Sequence, residues 1–156
     1  MDRRHFIGQS AAALGLLAGF SGHARANLQK AEILVIGGGY GGATAAKYLR
    51  MFSNNTARVT LIEPNTSFIS CPMSNLVVGG SRTIAEITSP YDTLSKRHGI
   101  NIIKDSVVSI DPTQKTVKLA SGKSLRYDKA VVSPGISLNM NTIEGLAQAN
   151  KAGVTL

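Results

Sequence analysis

Residues 31–64, AEILVIGGGYGGATAAKYLRMFSNNTARVTLIEP, constrain the fold more than any other part of the chain. Residues 33–36 form a short apolar run rich in β-branched side chains, the pattern of a strand buried on both faces. The run enters Gly37-Gly38-Gly39-Tyr40-Gly41-Gly42, in which Gly37, Gly39 and Gly42 satisfy G-x-G-x-x-G. Residues 43–51 carry strong helix formers, with Ala45, Tyr48, Leu49 and Phe52 at helical spacing. A second apolar run, residues 59–62, ends on Glu63.

Strand, glycine turn, helix, strand and terminal acid come in the order that a dinucleotide site requires. A lone G-x-G-x-x-G is a weak signal, and it gains weight here from the elements in register around it. Gly37 permits the tight turn out of the strand, Gly39 lets the backbone approach a pyrophosphate, and Gly42 lets the helix pack on the sheet. The first N–H groups of the helix have no partners within it, so together with the helix dipole they favour an anion. Glu63 lies 21 residues beyond Gly42, close to the spacing at which an acid accepts hydrogen bonds from adenosine ribose hydroxyls. An acid at that position favours FAD or NAD over NADP.

Residues 1–26 read as a leader and not as part of the fold. Arg3-Arg4 precede a weakly apolar segment, and Ala24-Arg25-Ala26 closes it as a small-x-small cleavage site. Paired arginines point to the twin-arginine route and hence to a periplasmic protein. The apolar run is short of the roughly 20 residues that span a bilayer, so no stable membrane insertion is expected. Export of an already folded chain implies a tightly held cofactor, which tilts the choice towards FAD. His5 and His23 fall in this segment and are assigned no chemistry.

The chain has 17 Lys+Arg and 9 Asp+Glu. Removing residues 1–26 takes away three bases and one acid, leaving 14 and 8. The remaining bases are scattered, without the clustered patch and interleaved aromatics of a nucleic-acid surface, so no nucleic acid is expected as a partner.

Beyond Glu63, residues 64–75 read as a turn-rich loop and residues 79–80 as a Gly-Gly break. Residues 83–87 and 91–98 read as short helical pieces, the second stopped by Gly99, with His98 as a cation at its C-terminal end. Residues 101–104 read as the third parallel strand. From Asp105 the texture becomes alternating, as in an antiparallel meander with one wet face over residues 107–127. Residues 130–132 read as another buried strand, ending in Ser133-Pro134-Gly135. A meander between the third and fourth parallel strands is typical of two-dinucleotide flavoproteins.

Cys71 is the only cysteine and can form no bridge within these 156 residues. It lies eight residues beyond Glu63, a reach of at most about 29 Å, ample to pass from an adenosine to a flavin ring. Its side chain is open to three readings: a flavin anchor, a redox-active thiol, or a thiol that packs.

IGGGYGGATAAKYLR, VTLIEPNTSF, SCPMSNLVVGG and YDKAVVSPGI resemble the flavoprotein subunit of flavocytochrome c sulfide dehydrogenase. The likeness covers residues 32–145, and the stretch from Glu63 through Cys71 to Gly80 is its most particular part. The resemblance implies a cysteine at the position of Cys71 bonded as a thioether to the 8α-methylene of FAD. It places Gly37, Gly39 and Gly42 at the pyrophosphate and Glu63 at the ribose, with Tyr40, Gly41, Pro64 and Asn65 also among the cofactor-binding residues. Val107 would meet the adenine through its backbone, and Ser133, Pro134 and Gly135 would turn close to the cofactor. The chain departs from that family in the less aromatic Phe68-Ile69-Ser70 before Cys71 and in Pro72 after it.

The expectation is therefore an α/β fold, a Rossmann-like FAD-binding domain with a parallel sheet and an inserted meander. It would occupy residues 27–140, after the leader of residues 1–26. Residues 141–156 would begin the connection to a second nucleotide-binding-like domain outside the chain. The resemblance implies oxidation of a small sulfur substrate, with electrons passing through FAD to a c-type cytochrome subunit. No catalytic or metal-binding residue is expected among these 156, because the family's redox cysteine pair would lie outside them. The fragment alone is expected to be inactive and to bind flavin poorly. Rival readings are a sulfide:quinone or NADH:quinone oxidoreductase, and a non-catalytic flavoprotein accessory subunit of a sulfur-oxidation complex.

Overall fold

The structure is a computed structural model that describes residues 30–136, 139 and 141–152, so the leader reading of residues 1–26 lies outside the described residues. The elements run β1 (Glu32–Ile36), α1 (Tyr40–Phe52), β2 (Arg58–Ile62), β3 (Ser67–Ile69), α2 (Ser74–Val78), β4 (Thr88–Pro90) and α3 (Asp92–His98). They continue with β5 (Asn101–Ile103), β6 (Val107–Asp111), β7 (Thr116–Leu119), β8 (Ser124–Arg126), β9 (Lys129–Val132) and α4 (Leu146–Lys151). Single 3-10 turns occupy Cys71–Met73 and Ala85–Ile87.

Four strands form a parallel sheet in the order β5-β2-β1-β9, the topology expected of a nucleotide-binding α/β domain. β6, β7 and β8 form a separate antiparallel meander between β5 and β9, as the alternating sequence predicts.

β1 is apolar from Ile33 to Ile36 because both of its faces are covered there. Ile33 and Val35 point to one side, where they pack with Val59, Leu61, Ala46, Tyr91 and Ile100 under α1 and α3. Leu34 and Ile36 point to the other and pack with Ile62 and with Val117 and Leu119 of β7. Each such side chain taken fully out of water contributes about 1.5–3 kcal/mol, so the two half-cores hold the sheet from both sides.

Three expectations need correction. The first concerns α1, which begins at Tyr40, earlier than the helix formers at 43–51 indicate, and does not bury the Ala45–Tyr48–Phe52 stripe. Its buried residues are Gly42 and Ala46, with Leu49 packed beside them, while Phe52 is 61 % exposed and stacks on Tyr48 with ring centroids 5.4 Å apart. Close approach selects the small face: a Cβ on Gly42 would stand 1.8 Å from the Gly37 carbonyl oxygen.

The second concerns residues 64–75, which are not all loop. β3 pairs with β4 from Ser67↔Pro90 to Ile69↔Thr88, and a 3-10 turn and α2 follow. The hairpin was hidden because its strands are three residues long, one of them ending in proline. The third concerns β9, which is an edge strand of the described sheet and only half-buried, with Val132 57 % exposed.

Arg50 in the last turn of α1 ties these elements together. Its guanidinium donates to the carbonyls of His98 (2.8 Å), Asn55 (2.7 Å) and Ala57, joining the end of α3 to the turn before β2. Gly99 stops α3 in the left-handed region at φ 61, and Lys96, Arg97 and His98 make its last turn basic, as expected.

Candidate functional site

The glycine turn sits at the carboxyl end of β1, where β2, β9 and the first turn of α1 converge. Gly37 adopts φ 95, and a Cβ there would stand 2.0 Å from the Ser133 carbonyl oxygen. Only glycine admits both that conformation and that approach. Gly39 is different. Its backbone is extended, and a Cβ would find nothing nearer than Phe68 Cε2 at 3.9 Å, so it would project into an open groove. Gly39 caps α1 with its carbonyl, which accepts the Ala43 N–H at 2.9 Å. The first turn of α1 contains no acid and its cap makes no side-chain hydrogen bond, so the protein leaves the positive end of the helix for an anion.

Glu63 follows β2 directly and is 8 % exposed. Its Oε2 accepts the Gly38 N–H at 2.7 Å, and its Oε1 accepts the Asn65 N–H at 3.0 Å and Asn65 Nδ2 at 2.8 Å. Oε1 is thus filled by its two donors, while Oε2 keeps a lone pair for one further donor, such as a sugar hydroxyl. One groove of about 290 Å³ opens beside it, walled by Gly37, Pro64, Asn65, Asp105, Val107 and Pro134 among others. The hydroxyl of Ser121 and then the N–H of Ser106 hold the Asp105 carboxyl below the usual carboxylate range, so this wall stays anionic. With Glu63 and Asp105 both on its walls, this groove disfavours a phosphate group.

A second groove of about 680 Å³ shares Glu63, Asn65 and Pro134 with the first. Gly39, Tyr40, Phe68, Cys71, Tyr91 and Gly135 are among its walls. Cys71 is exposed and sits at the start of the 3-10 turn after β3. Ser70 before it is buried, donating its N–H to Ile87 and accepting the Met73 N–H. Tyr40 bridges the turn to this segment: its ring meets Phe68 edge-on at 4.7 Å, and its hydroxyl is hydrogen-bonded to Ser70.

The structure thus gathers Gly37, Gly39, Tyr40, Glu63, Pro64, Asn65, Cys71, Val107, Pro134 and Gly135 along two joined grooves. Gly41, Gly42 and Ser133 line neither groove: Gly41 is exposed, a Cβ on it would stand 2.9 Å from Ser133 Oγ, and Gly42 is buried against Gly37. Gly38 and Tyr91 were missed by sequence reasoning. Tyr91 donates its hydroxyl to the Gly38 carbonyl at 2.9 Å, and burial, then the nearby Glu63 charge, push its pKa up to about 12. The available signal was that position 38 is glycine where the motif allows any residue.

A dinucleotide fits these residues: an open cradle at Gly39, an uncompensated helix start, and an acid oxygen free for a sugar hydroxyl. Among the described residues no group of three or more His, Cys, Asp or Glu could hold a metal, and no helix is long and apolar enough to cross a membrane.

Fold and site together define a Rossmann-like dinucleotide-binding domain. The chain belongs to the pyridine nucleotide-disulphide oxidoreductase family, whose profile matches residues 31–156. It is 34 % identical over 127 residues to the mitochondrial sulfide:quinone oxidoreductase of Dictyostelium discoideum, covering 80 % of this chain and 27 % of that one. Over 46 residues it is 53 % identical to the flavoprotein chain of the flavocytochrome c sulfide dehydrogenase of Chlorobaculum thiosulfatiphilum, covering 30 % of this chain and 94 % of that one. The solved sulfide:quinone oxidoreductase of Aquifex aeolicus superposes with a TM-score of 0.67 at 33 % identity, covering 74 % of this chain and 26 % of that one. The chain spans about a quarter of the length of the sulfide:quinone oxidoreductases it matches.

Proposed function

We propose that this chain is the FAD-binding part of a periplasmic sulfide dehydrogenase whose electrons leave through a c-type cytochrome. The observation that carries the reading is the single thiol, Cys71, lining the groove that continues from the one beside Glu63. Its likeness to the sulfide dehydrogenase flavoprotein chain supports the same conclusion. In this reading residues 1–26 are the export leader, residues 27–140 the cofactor domain, and residues 141–156 lead to a second domain that carries the redox cysteine pair.

Bound FAD would supply the ability to take an electron pair from a sulfur donor and release electrons one at a time. The chain's own residues hold and orient it. Glu63 would accept a ribose hydroxyl through Oε2, the first N–H groups of α1 would hold the pyrophosphate, and Val107 would border the adenine. Cys71 would hold the flavin ring as a thioether at its 8α carbon, the flavin itself taking up the two protons and two electrons lost by the thiol and the methyl group, and this would keep the cofactor from being lost outside the cell. Pro134 and Gly135 close the opposite wall.

A second reading, a sulfide:quinone oxidoreductase, is favoured by relatives of that name matching 69 to 80 % of this chain. Both rest on one test of attachment and one of acceptor. The complete exported gene product, denatured in acid, is expected to show an intact mass increased by one FAD, and the Cys71→Ala variant none. Free FAD released from both would return Cys71 to an ordinary thiol. Sulfide-dependent reduction of a quinone but not of cytochrome c would move the second reading ahead.

A further inference from the structure

Gly38 is held from both sides by side chains of other elements. Its N–H donates to Glu63 Oε2 and its carbonyl accepts the Tyr91 hydroxyl, and both bonds are buried. Tyr91 stands just before α3, 53 residues along the chain, and is 6 % exposed. Its ring also covers Gly38, since a Cβ there would stand 2.6 Å from the Tyr91 hydroxyl oxygen. All described peptides are trans, so the carbonyl of Gly38 and the N–H of Gly39 point in opposite directions. The bond from Tyr91 therefore sets which side of the turn the Gly39 N–H faces. Through the Gly38 N–H it also steadies the carboxylate that Asn65 grips from its other oxygen.

We infer that Tyr91 is a positioning residue for the adenosine–pyrophosphate half of the cofactor, acting through the Gly38 peptide on Glu63. The inference rests on the dinucleotide reading of the groove. Without the hydroxyl, the Gly38 carbonyl is buried with no donor, and the turn can relax only by shifting the N–H groups on either side of it. A carboxylate that loses one well-aligned charge-assisted bond to a ribose hydroxyl weakens binding by about tenfold.

The test uses the full chain carrying Cys71→Ala, freed of flavin, so that covalent attachment does not contribute. Calorimetric titration with ADP probes the adenosine–pyrophosphate half, and riboflavin, which has neither adenosine nor phosphate, serves as the control. Tyr91→Phe keeps the ring and is expected to raise the ADP Kd about tenfold with riboflavin binding unchanged. In a Glu63→Gln background the same change should cost less than about twofold, because its route of action is already broken. Equal ADP affinity with and without the hydroxyl overturns the inference, as does an undiminished tenfold loss in the Glu63→Gln background. Should Tyr91→Phe fail to fold, a ring-fluorinated tyrosine at position 91 keeps the shape and donates more strongly. Tighter ADP binding is then expected, and unchanged or weaker binding overturns the inference. If the parent chain itself binds no ADP, the dinucleotide reading fails first and the inference falls with it.

Discussion

Gly39 and Gly42 stand in the same turn, yet alanine at each asks a different question. At Gly42 a Cβ would enter the Gly37 carbonyl at 1.8 Å, a backbone contact that no rotamer can relieve. Gly42→Ala is expected to cost about 3 kcal/mol of folding stability in urea unfolding. At Gly39 the backbone is extended and the space is open, so Gly39→Ala should stay within about 0.5 kcal/mol of the parent in the same measurement. Its loss should appear in ADP binding, since the added methyl would occupy the path of the pyrophosphate. Tyr91 adds a pH signature. With its pKa raised from 10 to about 12, the folded chain holds a proton that the unfolded chain gives up from pH 10. Its contribution to stability is therefore complete below pH 10 and is lost as pH rises towards 12. The phenolate absorbance removed by Tyr91→Phe should develop near pH 12 in the folded chain and near pH 10 in denaturant.

At the scale of elements, Arg50 is a half-buried connector. It serves carbonyls from the turn before β2 and from the end of α3, which no neighbouring donor replaces among the hydrogen bonds of the described residues. Arg50→Met keeps much of the aliphatic stem and is expected to cost about 2 kcal/mol in thermal or urea unfolding. The sequence could not show this, because an arginine on a helix most often faces solvent and its partners lie at residues 55, 57 and 98. What was legible had local causes. The two-faced β1, the glycine turn, the acid after β2, the stop at Gly99 and the alternation of the meander each follow from residues that are neighbours in the chain. What was not legible depended on distant packing. The buried face of α1 was misread because Gly42 and Ala46 carry almost no hydrophobic signal and serve by letting backbones touch. Tyr91 was passed over because its partner, Gly38, is reached only after the sheet has assembled.

At the scale of the whole molecule, the meander is the back wall of the sheet as well as a side wall of the groove beside Glu63. Val117 and Leu119 are each 1 % exposed and pack under Leu34, Ile36 and Ile62, while Val107 on the neighbouring strand packs against this cluster and lines the groove. Glu63 continues β2 immediately after Ile62, so the half-core beneath the meander also supports the acid. The Cys71 end depends on other contacts: Ser70 is fixed by Ile87 and Tyr40, and β3 by β4. A cavity opened under the meander should therefore act unequally along the two joined grooves. Leu119→Ala is expected to cost about 3 kcal/mol in urea unfolding, the usual range for a fully buried leucine. Under conditions where the chain remains folded, ADP binding should weaken severalfold as Val107 and the Asp105–Ser106 wall loosen. The alkylation rate of Cys71 in the flavin-free chain should stay at the parental value. A parallel rise in Cys71 reactivity would instead show that the two ends of the groove yield as one unit, with the hairpin of β3 and β4 drawing its rigidity from the meander side of the sheet.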